Sequence, residues 1–279
     1  MNKLAATSYK VVTLSDVGLK RSGSPNQDSV GSVLPGFLQP RPPLLILADG
    51  MGGYAGGSQA SQLVIQAFKR VYLGYKNSEN MLPILEIAVN TALDDIHKYS
   101  KTKPELEAMG STVVALALHP DHADLINVGD SRAYLIRGDQ LIQISKDQSM
   151  VAEMVRQGVM TPEEAQVSPS RNRLNMALSA KRESVEPFVT SIPLQKGDGF
   201  LLCSDGLWGS VSEVLILAVA SQMSPAVAAA KLIELANKAG GVDNISVVIA
   251  MPEDMVKRTQ PRPAVSNSDK TEPGLGKAR

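Results

Sequence analysis

Short apolar stretches separated by turn residues constrain this chain most. Residues 10–14, 44–48, 112–118, 123–128, 133–136, 141–144, 185–192, 199–203 and 245–250 are rich in Val, Ile and Leu and are bounded by Gly, Pro or Asp. Each reads as a β-strand. All fall far below the ~18 consecutive apolar residues of a membrane span. The tight link Arg137-Gly138-Asp139-Gln140 predicts a hairpin turn. Residues 58–73 and 81–99 instead carry apolar side chains at helical spacing, as do 211–222 and 224–239. Ser224-Pro225 offers the last of these an N-cap followed by proline at the first helical position. Strands in blocks and helices in two pairs predict an α+β fold, layered on antiparallel sheets, over a doubly wound parallel one.

Composition narrows the class of function. The 279 residues are 43% hydrophobic and 20% charged, enough for a sizeable core. Lys and Arg number 28, as do Asp and Glu, so no basic excess marks a nucleic-acid or anionic-membrane binder. The single Cys203 excludes an internal disulfide framework and a cysteine-rich zinc site. With no signal-peptide pattern at the start, the expectation is a cytoplasmic, monomeric protein without a membrane span. Apolar periodicity stops near Pro252, which predicts one domain over 1–251 and a disordered tail over 252–279.

Aspartates sit where strands end. Asp49 follows Leu44-Leu45-Ile46-Leu47-Ala48 and precedes Gly50-Met51-Gly52-Gly53. Asp130 follows Val128-Gly129, and Asp205 follows Leu201-Leu202-Cys203-Ser204. Asp243 immediately precedes the strand at 245–250, and Asp147 follows the one ending at Ile144. A lone Asp-Gly is ordinarily just a turn. Several carboxylates converging at strand ends repel one another unless cations neutralise them, and oxygen-only ligands suit Mg²⁺ or Mn²⁺. Neighbouring glycines allow the backbone to come close to such an ion.

Asp49-Gly50-Met51-Gly52-Gly53, Gly110-Ser111-Thr112, Gly129-Asp130-Ser131-Arg132, Ser204-Asp205-Gly206-Leu207 and Asp243-Asn244 occur in this order along the chain. In that order and spacing, the chain resembles the metal-dependent protein phosphatase 2C family, in its bacterial serine/threonine phosphatase form, from about Val12 to Ala250. The resemblance implies a central β-sandwich flanked by helix pairs, with a helical flap over about 150–180. It also implies two Mn²⁺ or Mg²⁺ ions, and a third in many bacterial relatives. On this correspondence Asp49 bridges the two ions, Gly50 adds a backbone carbonyl, and Asp205 and Asp243 complete the shells. Asp130, Asp147 and Asp205 match the third site, and Asp28 matches an acidic residue just behind the metals. The implied reaction is hydrolysis of phosphoserine and phosphothreonine in proteins by a metal-activated water, opposing protein kinases. Partners would be phosphorylated proteins, including a Ser/Thr kinase and its substrates. Rival expectations are a phosphatase of small phosphate esters and a non-catalytic regulator of the same fold.

The chain departs from the family at several points. Tyr54 stands where bacterial relatives carry His, Gly209 where some eukaryotic members carry an acidic ligand, and Lys146-Asp147-Gln148-Ser149 where Asp-His-Ser is usual. Arg21, matched to the phosphate-binding Arg, lies two residues farther from Asp28 than is typical. The Gly23–Pro25 stretch either absorbs the extra length and aims Arg21 at the metals, or swings it into solvent. The first is expected. In the flap, Thr161-Pro162 predicts a capped helix, and Arg171 and Arg173 would place positive charge near a phosphopeptide path. Cys203 is expected in the core, His97 on a solvated helix face, and His119 and His122 in a hairpin loop lacking the third ligand zinc needs.

Overall fold

The computed structural model describes residues 8–36, 41–75 and 80–254. In chain order its strands are β1 (Tyr9–Asp16), β2 (Asp28–Val33), β3 (Leu44–Met51), β4 (Gly110–Ser111), β5 (Val113–Leu118), β6 (His122–Val128), β7 (Arg132–Arg137), β8 (Gln140–Gln143), β9 (Leu178–Ser179), β10 (Phe188–Pro193), β11 (Gly199–Cys203) and β12 (Ile245–Pro252). The helices are α1 (Tyr54–Gly74), α2 (Leu82–Thr102), α3 (Met150–Arg156), α4 (Pro162–Val167), α5 (Asp205–Trp208), α6 (Glu213–Gln222) and α7 (Pro225–Lys238). One sheet runs β1-β12-β11-β7-β8, the other β10-β6-β5-β3, and every pairing is antiparallel. The β2 strand pairs with β3, whose last residues also meet β4, and β4 pairs in turn with β9.

Alternation along each strand sorts its apolar residues into layers. Leu45 and Leu47 of β3 join Val114, Leu116, Leu135, Phe200, Leu202 and Val248 in a buried layer between the sheets. Leu44, Ile46 and Ala48 point the other way and pack with Val64, Phe68, Leu85 and Val89 of α1 and α2. On the opposite side Leu201, Cys203, Val247 and Ile249 meet Ile216 of α6 and Leu232 and Ile233 of α7. The result is a four-layer α-β-β-α arrangement, as expected. Antiparallel strands usually alternate apolar and polar residues because one face is wet. Here helices cover the outer faces, so β5 and β11 are apolar along their whole length and β3 over Leu44–Ala48.

Local differences from the sequence reading have physical causes. The β2 strand, Asp28-Ser29-Val30-Gly31-Ser32-Val33, has no apolar run to mark it. Its Gly31 lies against α1, where a Cβ would stand 2.9 Å from Lys69 Cε and 3.0 Å from Ile65 Cγ2. The strand expected at 185–192 begins only at Phe188 and runs to Pro193. Ser224 precedes α7 with proline at the first helical position, yet its side chain makes no capping hydrogen bond. Thr161 does cap α4: its Oγ1 accepts from Glu164 N at 3.2 Å, and Glu164 Oε2 accepts from Thr161 N at 2.8 Å. The β12 strand reaches Pro252, and Glu253 N donates to Ser8 O. Residues 255–279, most of the expected tail, lie outside the described residues.

Leu47→Ala, in the layer between the sheets, is expected to lower stability by about 2–5 kcal/mol. Val214→Ala, on an exposed face of α6, should stay within about 0.5 kcal/mol. Chemical denaturation of both variants beside the parent checks the layer assignment.

Candidate metal and phosphate site

Register brings the first carboxylates together. Asp28 opens β2 and faces Asp49 near the end of β3 as its cross-strand partner. Asp130 occupies the turn between β6 and β7, Asp205 opens α5 one residue after β11, and Asp243 lies just before β12. Both sheets therefore contribute aspartates to one end of the sandwich. Gly50 permits the close packing there: a Cβ on it would stand 2.0 Å from Gly57 O and 2.6 Å from Gln27 O. The Asp49 backbone is fixed by Thr112, whose Oγ1 accepts from Asp49 N at 3.0 Å and whose N donates to Asp49 O at 2.8 Å.

The site is electrostatically loaded. Withdrawal from water pushes the Asp49 carboxyl well above the usual range, and Asp28, Asp205, Asp130 and Asp243 push it further by repulsion. Asp205 is raised for the same first reason, with Asp130, Asp243 and Asp28 adding to it. Burial lifts Asp28 to about 6. The hydroxyls of Ser204 and Ser246 restrain that rise, though neither completes a hydrogen bond and both Asp28 carboxyl oxygens lack a partner. Asp130 rises to about 7 through burial and the nearby Asp147 charge. Asp205 Oδ1 is also buried without a partner. Orphaned carboxylate oxygens and mutually raised pKa values are what a divalent-cation site presents before its ions bind. The donor set, all oxygen, fits Mn²⁺ or Mg²⁺.

Arg21 reaches this cluster. It closes one turn of 3₁₀ helix (Leu19–Arg21), and its Nη2 donates to Asp243 Oδ2 at 2.8 Å. Its Nη1 donates to Gln27 Oε1 at 3.1 Å. Of the two alternatives the sequence left open, the geometry takes the one that aims the guanidinium inward. Asn244 secures the loop: its Oδ1 accepts from Gln27 N and its Nδ2 donates to Val17 O, both at 2.8 Å.

Asp147 lies beside Asp130 but is heavily engaged. Arg132 grips it with Nε and Nη2, at 3.0 and 2.8 Å from Oδ2, and Gln143 Nε2 donates to Oδ1 at 2.8 Å. The Arg132 guanidinium also covers the Trp208 ring at 3.9 Å, and Trp208 Nε1 donates to Asp130 O at 3.1 Å. Linear spacing marks no role for Arg132, Gln143, Trp208 or Gln27. Arg132 alone carried a signal, since it stands two residues after Asp130 in the same motif.

The segment over 150–180, expected as a flap, is tied to this edge of the site. Arg156 Nη1 donates to Asp147 O, and β9 returns to pair with β4 beside Gly50 and Met51. Arg171 and Arg173 are exposed, and Arg171 Nη1 bonds back to Gln166 O. His97 proves half-buried rather than solvated, because its Nε2 reaches Arg182 O at 2.7 Å and so holds the chain after the flap to α2. Tyr54 opens α1, and its side chain lies outside what the structure describes. Gly209 N donates to Asp205 O at 2.8 Å. Cys203 is buried in β11, and burial pushes its thiol far up, which fits a core residue and not a nucleophile. Among the described residues no helix is long and apolar enough to cross a membrane.

Comparison with known proteins agrees with this geometry. A model of the family described as Protein phosphatase 2C matches residues 18–236. The serine/threonine protein phosphatase PstP of Mycobacterium tuberculosis is 40% identical over 258 residues, covering 91% of this chain. This chain spans 48% of that relative's length. Protein phosphatase PhpP of Streptococcus pneumoniae is 33% identical over 253 residues, covering 88% of this chain and 98% of its own. A crystal structure of the PstP catalytic domain in complex with two manganese ions superposes with a TM-score of 0.76 at 39% identity, covering 87% of this chain and 97% of that one.

Raised carboxyl pKa values mean that the folded, metal-free protein holds protons its unfolded chain would release. The cost of the cluster is absent below about pH 4, the ordinary carboxyl range, and grows as pH rises through the folded values of about 6 for Asp28 and about 7 for Asp130. In chelator, the melting temperature should fall by several degrees from pH 5 to pH 8, and Mn²⁺ should flatten that fall. Asp49→Asn should raise the metal-free melting temperature at pH 8 and remove most of the Mn²⁺ response. Thermal melts across pH with and without Mn²⁺ check both.

Proposed function

Because the chain belongs to the protein phosphatase 2C family, we propose that it hydrolyses phosphoserine and phosphothreonine esters in proteins with the aid of Mn²⁺ or Mg²⁺. The observation that carries this reading is the convergence of Asp28, Asp49, Asp130, Asp205 and Asp243 at one end of the sandwich, with Arg21 at its rim. Asp49, the Gly50 carbonyl, Asp205 and Asp243 would hold two ions, and Asp130, Asp205 and Asp147 a third. Bound there, the ions would supply a water acidic enough to attack phosphorus at neutral pH and would offset charge on the phosphoryl oxygens.

The chain's own residues do the positioning. Asp28 stands across from Asp49 on the neighbouring strand and adds a second buried carboxylate beside it. Arg21 keeps 32% of its side chain exposed while Asp243 and Gln27 hold it, so the planar fork is accessible to a phosphate dianion. If residues 150–180 act as a flap beside the site, the exposed Arg171 and Arg173 would suit an extended phosphopeptide. On this reading the protein acts as a monomer in the cytoplasm, where its free Cys203 suits a reducing medium, and it opposes Ser/Thr kinases on shared substrates.

Comparing kcat/KM on a phosphothreonine peptide and on a small aryl phosphate tests the substrate class. A strong preference for the peptide is expected, and a preference for the aryl ester would favour small phosphate esters. Excess chelator should abolish turnover, with Ca²⁺ rescuing little because it takes more ligands at longer distances. Arg21→Ala should lower kcat/KM about ten- to a hundredfold, the worth of a charged hydrogen bond of roughly 1.5–3 kcal/mol. Most of the loss should appear in KM, and Arg21→Lys should restore only part because a point charge cannot fork.

A further inference from the structure

At the opposite end of β6 from Asp130, a second cluster gathers outside the site described above. His119 opens the turn after β5, His122 opens β6, and Asp124 follows two residues on. With one ligand atom from each, all three lie within 4.8 Å of one another. The β6 strand spans about 20 Å at ~3.3 Å per residue, so the cluster is remote from the phosphatase centre. Sequence reasoning set aside the His119-Pro120-Asp121-His122 pair for want of a third ligand. Register supplies it, because Asp124 sits across from Ala117 on β5, close to the two residues that flank the turn.

The cluster is built rather than incidental. Asp124 is 1% exposed, and Oδ2 accepts from Met81 N at 2.8 Å, which pins the carboxylate at the start of α2. His119 is 6% exposed, and its Nε2 is buried without a hydrogen-bond partner. That nitrogen lies 3.3 Å from Asp124 Oδ2, near enough for attraction but lacking hydrogen-bond alignment. His122 Nε2 stands 3.7 Å from Asp124 Oδ1, while its Nδ1 is 2.7 Å from Asp121 Oδ1. A carboxylate on one ring nitrogen is the arrangement that orients the other toward a metal. Zinc with arms of roughly 2.1 Å would make tetrahedron edges of about 3.4 Å, close to both nitrogen–oxygen separations. The two rings are stacked at 4.1 Å, so His122, the more exposed, must tilt for both lone pairs to converge.

We propose that His119, His122 and Asp124 form a mononuclear site for a zinc-class divalent transition metal, which clips the β5–β6 turn to the start of α2. Two imidazoles and one carboxylate match Zn²⁺ or Co²⁺ and discriminate against Mg²⁺, which prefers oxygen and water. Asp121 acts as the outer partner that orients His122.

Cobalt separates this site from the phosphatase centre, since tetrahedral nitrogen-ligated Co²⁺ absorbs visible light strongly and octahedral oxygen-ligated Co²⁺ only faintly. Titrating the metal-free protein with Co²⁺ in the presence of excess Mg²⁺ should give one equivalent of the intense spectrum, discharged by one equivalent of Zn²⁺. His122→Ala should lose that spectrum while keeping its metal-free melting temperature and its Mn²⁺-supported phosphatase activity. Asp121→Asn should weaken Co²⁺ binding by roughly 10–100-fold without abolishing it. With the aspartate centre saturated by excess Mg²⁺, Zn²⁺ at about a hundred times its dissociation constant should raise the melting temperature of the parent by on the order of 5 °C more than that of His122→Ala. No intense spectrum in the parent would overturn the proposal and leave a buried His–Asp pair. So would a spectrum that persists undiminished in both His122→Ala and His122→Gln.

Discussion

Mutual repulsion among the aspartates at one end of the sandwich is the constraint on which the rest depends. Asp28 and Asp49 are adjacent on paired strands, and Asp130, Asp205 and Asp243 converge on them from the turn after β6 and from the other sheet. Without cations this group opposes the compact state, so something else must hold the strand ends in place. Three buried layers do so. The inter-sheet layer around Leu47, Leu116, Phe200 and Val248 fixes the sheets to each other, and the two helical layers cover their outer faces. The apolar mass of the fold stabilises a polar end that would otherwise spread apart.

The neighbourhood of Asp147 shows how charge is shared at the edge of that end. Arg132 holds Asp147, packs on Trp208 and, through Nη1, donates to the Tyr134 hydroxyl, which in turn donates to Glu213 of α6. Trp208 fixes the Asp130 carbonyl, and Arg156 links α3 to the Asp147 carbonyl. A continuous set of contacts thus joins α6, the Asp130 turn and α3. Any cation recruited by Asp130 and Asp147 would compete with Arg132 for the second carboxylate.

Much of this was legible in the sequence, for identifiable reasons. Strands covered on both faces leave apolar runs, so β3, β6, β11 and β12 stood out, and with them the aspartates at their ends. The β2 strand was missed because its Ser and Gly residues answer to α1 and to Asp49, and so carry no pattern of their own. Ring orientation, the Arg132–Asp147 pairing and the Trp208 contact depend on residues brought together by the sheet, where linear spacing is silent. His119 and His122 were visible as a pair, but only the β5–β6 register reveals Asp124 beside them.

The position of β12 has a consequence for how the molecule comes into being. This last strand lies in the interior of its sheet, between β1 and β11, and the Gln27–Asn244 and Arg21–Asp243 contacts join residues 217 and 222 positions apart. A growing chain that has not yet released residues 245–252 has two unpaired strand edges and no Asp243 in place. Contacts of such long range make for slow folding, since loop-closure entropy is lost before they reward it. The aspartate cluster therefore assembles only once β12 is in place, so the end of the sandwich that gathers Asp28, Asp49, Asp130, Asp205 and Asp243 is among the last parts of the fold to form.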